Sequence, residues 1–176
     1  MDAERFVKEL KVISPDRGMF SNMDLGNDYI DSVIAGFNPE KIHSDSTFSD
    51  PLLKLVTQYN ANVIHVGMIE FSDEVRETDR YYIIGEFEVD WLTIDKLSGC
   101  VKIVEKHNYH EMWECAIDSS RFLEAMIEAC KFLLKSSTDD NLYENKQAHD
   151  AVAEVCSSLA GGERFLDFYK MFFGCW

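Results

Sequence analysis

Proline is scarce in this sequence, with three in 176 residues, and cations are few: 17 Lys and Arg stand against 32 Asp and Glu, a formal net charge of −15. The shortage of basic side chains opposes nucleic-acid binding, which needs clustered Lys and Arg to neutralise phosphates. No stretch approaches the roughly 18 apolar residues of a membrane helix, and the chain opens with the acids Asp2 and Glu4 where a signal peptide is basic. Neither a nucleic acid nor a membrane is expected as a partner. Cysteine is present but unpatterned: Cys100, Cys115, Cys130, Cys156 and Cys175 are odd in number and form no C-x-x-C pair. With the N-x-[ST] acceptor also lacking, a reduced, cytoplasmic setting is expected. The 46% of hydrophobic residues is enough, at this length, for one domain with a real core and no metal or disulfide staples.

What is present is patterned. Phe6, Leu10 and Ile13 recur at helical spacing and Ser14-Pro15 ends the segment, so a helix is expected from Asp2 to about Ile13. Residues 16–50 are irregular, with at most one short helix around Tyr29 to Ala35. Ser49-Asp50-Pro51 supplies a cap with proline just inside, and Leu52, Leu55, Val56 and Tyr59 mark the helical face behind it. The period then changes. Asn62 to Phe71 reads as a strand, residues 72–80 as a charged connector, and residues 81–105 as antiparallel strands, the last two joined by a turn at Ser98-Gly99. Asn108 to Ile117 reads as a loop and a short edge strand. Asp118-Ser119-Ser120 precedes an amphipathic helix over 121–135, and Gly161-Gly162 separates two further helices, 148–159 and 163–173. Helices, then strands, then helices indicate an α+β fold, a single domain over residues 1–176 with an antiparallel sheet flanked by helices.

Few residues suggest chemistry. His107-Asn-Tyr-His110-Glu-Met-Trp-Glu114-Cys115 gathers two imidazoles, two carboxylates and a thiol, the donors that zinc takes. The zincin order His-Glu-x-x-His is broken because position 114 is Glu, and a polar turn running into an edge strand accounts for the segment without metal. Neither a metal site nor a cofactor is expected, and no catalytic residue is assigned. Cys100, Cys115 and Cys130 carry no nucleophile signature and read as buried small hydrophobes. Gly161-Gly162-Glu163 matches no phosphate-loop pattern and reads as a turn between helices.

The carboxylates are more informative. Residues 61–120 hold five basic and thirteen acidic side chains, the steepest imbalance in the chain. Glu86, Glu88 and Asp90 alternate with Phe87, Val89 and Trp91, which on one strand sets the three acids on one face. Leu92 and Ile94 then fall on the acidic parity, so a bulge or a covered strand end is expected near Trp91-Leu92. Such a row is a solvated sheet face, a docking face for a cationic partner, or an acid/base or divalent-ion site. Glu86, Glu88, Asp90 and Trp91 are the expected partner-binding residues, since a strongly acidic chain steers toward a basic protein and interface anchors favour aromatics.

Taken in order, Tyr81-Tyr-Ile-Ile-Gly85, the strand end Leu92-Thr-Ile-Asp95, the turn Lys96-Leu-Ser-Gly99 into Cys100-Val101, and the helix opening Ala116-Ile-Asp-Ser-Ser-Arg-Phe-Leu-Glu124 resemble the SUKH superfamily. The resemblance covers about residues 60–135, with 143–173 as a C-terminal helical extension. It implies a sheet flanked by helices and a non-enzymatic protein-binding role. Most often that role is an immunity protein that neutralises a cognate polymorphic toxin, of nuclease or deaminase type, by direct binding. The implied partner is a basic toxin domain. A regulatory or scaffold role within the same superfamily is the alternative, and a metal-dependent hydrolase using His107 to Cys115 is a third, less favoured reading.

Overall fold

Several helices begin behind a side chain that the sequence places for the purpose. In a computed structural model that describes residues 1–21 and 23–175, Asp2 accepts a hydrogen bond from the Arg5 amide at 2.8 Å, Asp50 from Leu52 and Leu53 at 2.9 and 3.1 Å, Asp118 from Arg121 at 2.8 Å, and Asn145 from Ala148 at 3.1 Å. Each cap satisfies amides that the first helical turn leaves unpaired, worth about 1 kcal/mol apiece. The helices they open are α1 (Ala3–Val12), α3 (Pro51–Gln58), α4 (Ser119–Ser136) and α6 (Lys146–Ala160). Three others lie between or after them: α2 (Asn27–Gly36), α5 (Asp140–Tyr143) and α7 (Leu166–Phe172). Among the described residues no helix is long and apolar enough to cross a membrane.

The strands form one antiparallel meander in chain order: β1 (His65–Val66), β2 (Ile69–Glu77), β3 (Tyr81–Phe87), β4 (Asp90–Asp95), β5 (Val101–Val104) and β6 (Glu111–Ala116). Ile69, Phe71, Phe87, Leu92, Ile94, Val101 and Ile103 turn toward the helices. There they join Phe6 and Leu10 of α1, Leu52, Leu55 and Val56 of α3, and Phe122, Leu123 and Met126 of α4 in one buried cluster. The C-terminal helices belong to the same core, with the Phe87 ring centroid 5.9 Å from that of Phe168 and 6.4 Å from that of Phe172. The fold is thus single-domain α+β, as the order of periodicities indicates.

The structure departs from the sequence reading in three places, each for a local reason. Asn62 to Phe71 is not one strand: Gly67, at φ 58°, turns the chain between β1 and β2. The charged residues 72–77 are strand rather than connector, because β1 is two residues long and leaves the outer half of β2 as a sheet edge, where charged side chains are tolerated and useful. Most consequential, residues 86–95 are a hairpin. Phe87 pairs with Asp90 across a two-residue turn at Glu88-Val89, which resets the alternation without a bulge at Trp91-Leu92. The register shift in this pair of strands lies instead at Ile84, between the pairs Ile83–Thr93 and Gly85–Leu92.

Gly85 is required by a close approach of backbones. A Cβ there would overlap the Glu70 carbonyl oxygen and sit 3.1 Å from the Phe71 Cα, and backbone cannot yield as a side-chain tip does. Gly85→Ala is therefore expected to lose about 3 kcal/mol of stability in urea denaturation, whereas Gly26→Ala, which meets nothing within 4 Å, is expected to stay near wild type.

Candidate functional site

The sheet's second face is built from the residues that alternate with the core-facing ones. Ile83 pairs with Thr93, Thr93 with Lys102, and Lys102 with Glu114; beside this row, Tyr81 pairs with Asp95 and Trp91 with Val104. Tyr81, Ile83, Thr93, Asp95, Lys102 and Val104 lie outside the helix-packed cluster, yet all are buried. Curl of the sheet covers them. In a flat sheet β3 and β6 would stand roughly 14 Å apart, three strand spacings. Here the Tyr81 hydroxyl donates to Glu111 Oε1 at 3.1 Å, and Tyr109, from the β5–β6 loop, stacks on Tyr81 with ring centroids 6.3 Å apart.

Lys102 lies at the centre of this hollow. Its side chain is 7% exposed, and Nζ lies 2.8 Å from Glu111, 3.5 Å from Asp95 and 3.6 Å from Glu114. A buried ammonium without partners is severely destabilising, so the carboxylates are a condition of this packing. Glu111 and Glu114 are an odd number of residues apart and would ordinarily point to opposite faces. Register shifts in the β5–β6 pairing, which skip Cys115 and Met112, set Glu114 opposite Lys102 and Glu111 opposite Val104, on one face. Arg80 binds both Asp95, at 3.2 Å, and Glu111. Burial pushes the Asp95 carboxyl upward, but the Leu97 and Ser98 amides, Arg80 and Lys102 hold it below the ordinary range. Hydrogen bonding to Lys102, with help from Tyr81 and Arg80, lowers Glu111 despite its burial. Burial works against the Lys102 charge, yet Glu111, Asp95 and Glu114 raise its pKa.

The residues singled out from sequence meet at the β3–β4 hairpin but do not form an acidic stripe. Glu86 pairs with Lys106 at 2.9 Å, and Trp91 lies under Arg76 and Lys106, 4.0 and 4.1 Å from its ring centroid. Glu88 stands at φ 53° at the turn, with its amide donating to the Met68 carbonyl at 3.0 Å, followed by Val89, 72% exposed, and Asp90. The face itself is balanced, with Arg76, Arg80, Lys102 and Lys106 set among Glu86, Asp95, Glu111 and Glu114. Acidity reaches solvent at the hairpin tip. The charge count in sequence missed the Lys102 network, although a lysine inside the apolar run Cys100-Val-Lys-Ile-Val104 was its signal.

The His107 to Cys115 segment is not drawn together into a reactive cluster. His107 and His110 are exposed in the β5–β6 turn, Glu111 and Glu114 are committed to Lys102, and Cys115 is fully buried with its thiol pushed well above the usual value by that burial. Burial likewise pushes the Cys130 and Cys156 thiols up to about 12. Among the described residues no group of three or more His, Cys, Asp or Glu converges as a metal site. Comparison of the chain with protein-family models, with curated proteins and with solved structures found no match.

Two outcomes are expected. Lys102→Met should cost about 2 kcal/mol at pH 7, because it takes the ammonium away from buried Asp95, which keeps Arg80, and from the partly buried Glu111. The depressed Asp95 and Glu111 values make their contribution fully present above the ordinary carboxylate range near 4 and lost as pH falls through the folded values, while the raised Lys102 value keeps its contribution until pH climbs past about 10.4. The deficit of the variant should therefore shrink toward pH 3 in urea titrations; an equal deficit at both pH values would refute the electrostatic account. Iodoacetamide at neutral pH should leave Cys115, Cys130 and Cys156 unmodified until the chain is unfolded, as mass spectrometry can show.

Proposed function

We propose that this chain is a non-enzymatic, cytoplasmic protein-binding module that neutralises a basic toxin domain, of nuclease or deaminase type, by stoichiometric association. The observation that carries this reading is the β3–β4 turn. Glu88, Val89 and Asp90 stand at the rim of a sheet face where Glu86 is paired with Lys106 and Glu111 with Lys102, and among the described residues Glu88 and Asp90 enter no ion pair, so their charge is open to a cation approaching this rim. A domain that acts on nucleic acid must itself present Lys and Arg to phosphate, and an acidic rim competes for the same cations. The tip is held by the Glu88–Met68 hydrogen bond and by the cations over Trp91, which lowers the entropic cost of docking.

The resemblance of residues 60–135 to the SUKH superfamily supports the immunity role in particular. Burial of Cys115 and engagement of Glu111 and Glu114 by Lys102 favour binding over hydrolysis at the 107–115 segment.

The test takes as ligand a basic toxin domain of nuclease or deaminase type, sought first in the gene next to the one for this chain. Calorimetric affinity for Glu88→Lys/Asp90→Lys should fall at least about tenfold, with a flatter dependence on salt between roughly 50 and 300 mM. Unchanged affinity together with an unchanged salt slope would remove the hairpin from the interface.

A further inference from the structure

A second surface carries the partner's chemistry further. Beneath α2 lie two adjoining cavities of about 290 and 330 Å³, which share Tyr29, Val33, Phe37 and His65 in their walls. Tyr29, Val33 and Phe37 are spaced i, i+4, i+8, so they form a single stripe along the helix, while Ile30 turns inward and is buried. Leu25, Val66 and Leu134 extend the apolar lining. Tyr29 is 58% exposed and Leu25, beside it, 37%, while Val33 and Phe37 are half-buried, so the stripe opens to solvent at its Tyr29 end.

The groove is uncharged inside and acidic outside. Among the described residues neither cavity wall contains Lys or Arg. Residues 16–50, which supply most of one wall, hold seven acids against two bases, and one of those bases, Arg17, is engaged with Asp31 and Asn27. Asp24 lies between Met23 and Leu25, Asp28 precedes Tyr29, and Glu70 sits 3.5 Å from His65 on the opposite wall. The groove also adjoins the hairpin tip: Gly67 lines it, and the next residue, Met68, accepts the hydrogen bond from Glu88.

We propose that this groove seats an amphipathic cationic segment of the partner, with large apolar side chains against the Tyr29–Val33–Phe37 stripe and Lys or Arg beside Asp24, Asp28 and Glu70. In helix-in-groove recognition the inserted helix lays apolar anchors at i, i+3, i+4 and i+7 along such an apolar face. A neutral apolar occupant would desolvate the flanking carboxylates without compensation, and a second copy of a chain carrying −15 brings like charge to an acidic rim. The inference rests on the reading that the partner is basic, but not on Glu88 and Asp90.

The probes are fluorescein-labelled peptides of about 16 residues: a Leu/Lys amphipathic helix, a Lys/Ser peptide of equal charge, and a Leu/Glu helix. Anisotropy titrations with the full chain should show the Leu/Lys peptide binding at least about tenfold tighter than the Lys/Ser peptide, with the Leu/Glu helix not binding. Tyr29→Ala/Leu25→Ser, which leaves the net charge unaltered, should weaken the Leu/Lys complex at least about tenfold, and Asp24→Lys/Asp28→Lys should weaken it too, with circular dichroism confirming that each variant folds. Equal binding of both cationic peptides, or indifference to Tyr29→Ala/Leu25→Ser, overturns the proposal in favour of general charge attraction. Loss of peptide binding only in Glu88→Lys/Asp90→Lys overturns the groove and leaves the hairpin standing; a toxin affinity lost only in the groove variants does the reverse. Self-association in sedimentation that Tyr29→Ala abolishes, without peptide binding, overturns it by assigning the groove to a second copy.

Discussion

A lysine ammonium held away from water is the constraint on which this architecture turns. Lys102 sits in the short strand β5, where Val101, Ile103 and Val104 are wholly buried, and its charge is tolerable only where carboxylates surround it. Asp95 and Glu111 come from the two neighbouring strands, and Glu111 reaches Arg80, just before β3, as well because the sheet curls and Tyr109 closes on Tyr81. That curl buries Ile83 and Val104 by the sheet's own geometry. Ion pairs of this kind add little net stability over a well-packed apolar core; what they specify is shape.

The chain's negative charge is accordingly divided by role. Carboxylates on the second sheet face are spent on Lys102, Arg80 and Lys106 and contribute to form. Those at the β3–β4 tip and along residues 16–50 face solvent, where screening over about 8 Å at physiological ionic strength makes each patch act on what lies directly against it. A single figure of −15 conceals these two populations.

Local physics was legible in the sequence, and long-range physics was not. Asp2, Asp50 and Asp118 announce their helices because a cap is decided by residues three or four apart. The order of elements and the edge position of β6 follow from periodicity alone. The β3–β4 turn was hidden because Glu88-Val89 offers neither glycine nor asparagine, and its positive φ is stabilised from outside by the Met68 carbonyl. Residues 72–77 were hidden because a charged edge strand and a loop share a composition. As for the site, Glu86, Glu88, Asp90 and Trp91 do gather at one hairpin, yet the pairing of Glu86 and Trp91 with Arg76 and Lys106 depends on neighbouring strands that no single-strand pattern contains. The Lys102 network escaped for a related reason, since the shifts at Cys115 and Met112 break the period-two rule by which facing residues are read.

Those two irregularities in β6 have another effect. A strand at the margin of a sheet invites a further chain to add to it, and it does so through an even ladder of amides and carbonyls. Offset twice within six residues, the outer side of β6 presents an interrupted ladder, which disfavours the addition of another strand along that margin. That margin offers a neighbour its side chains more readily than an even row of backbone groups.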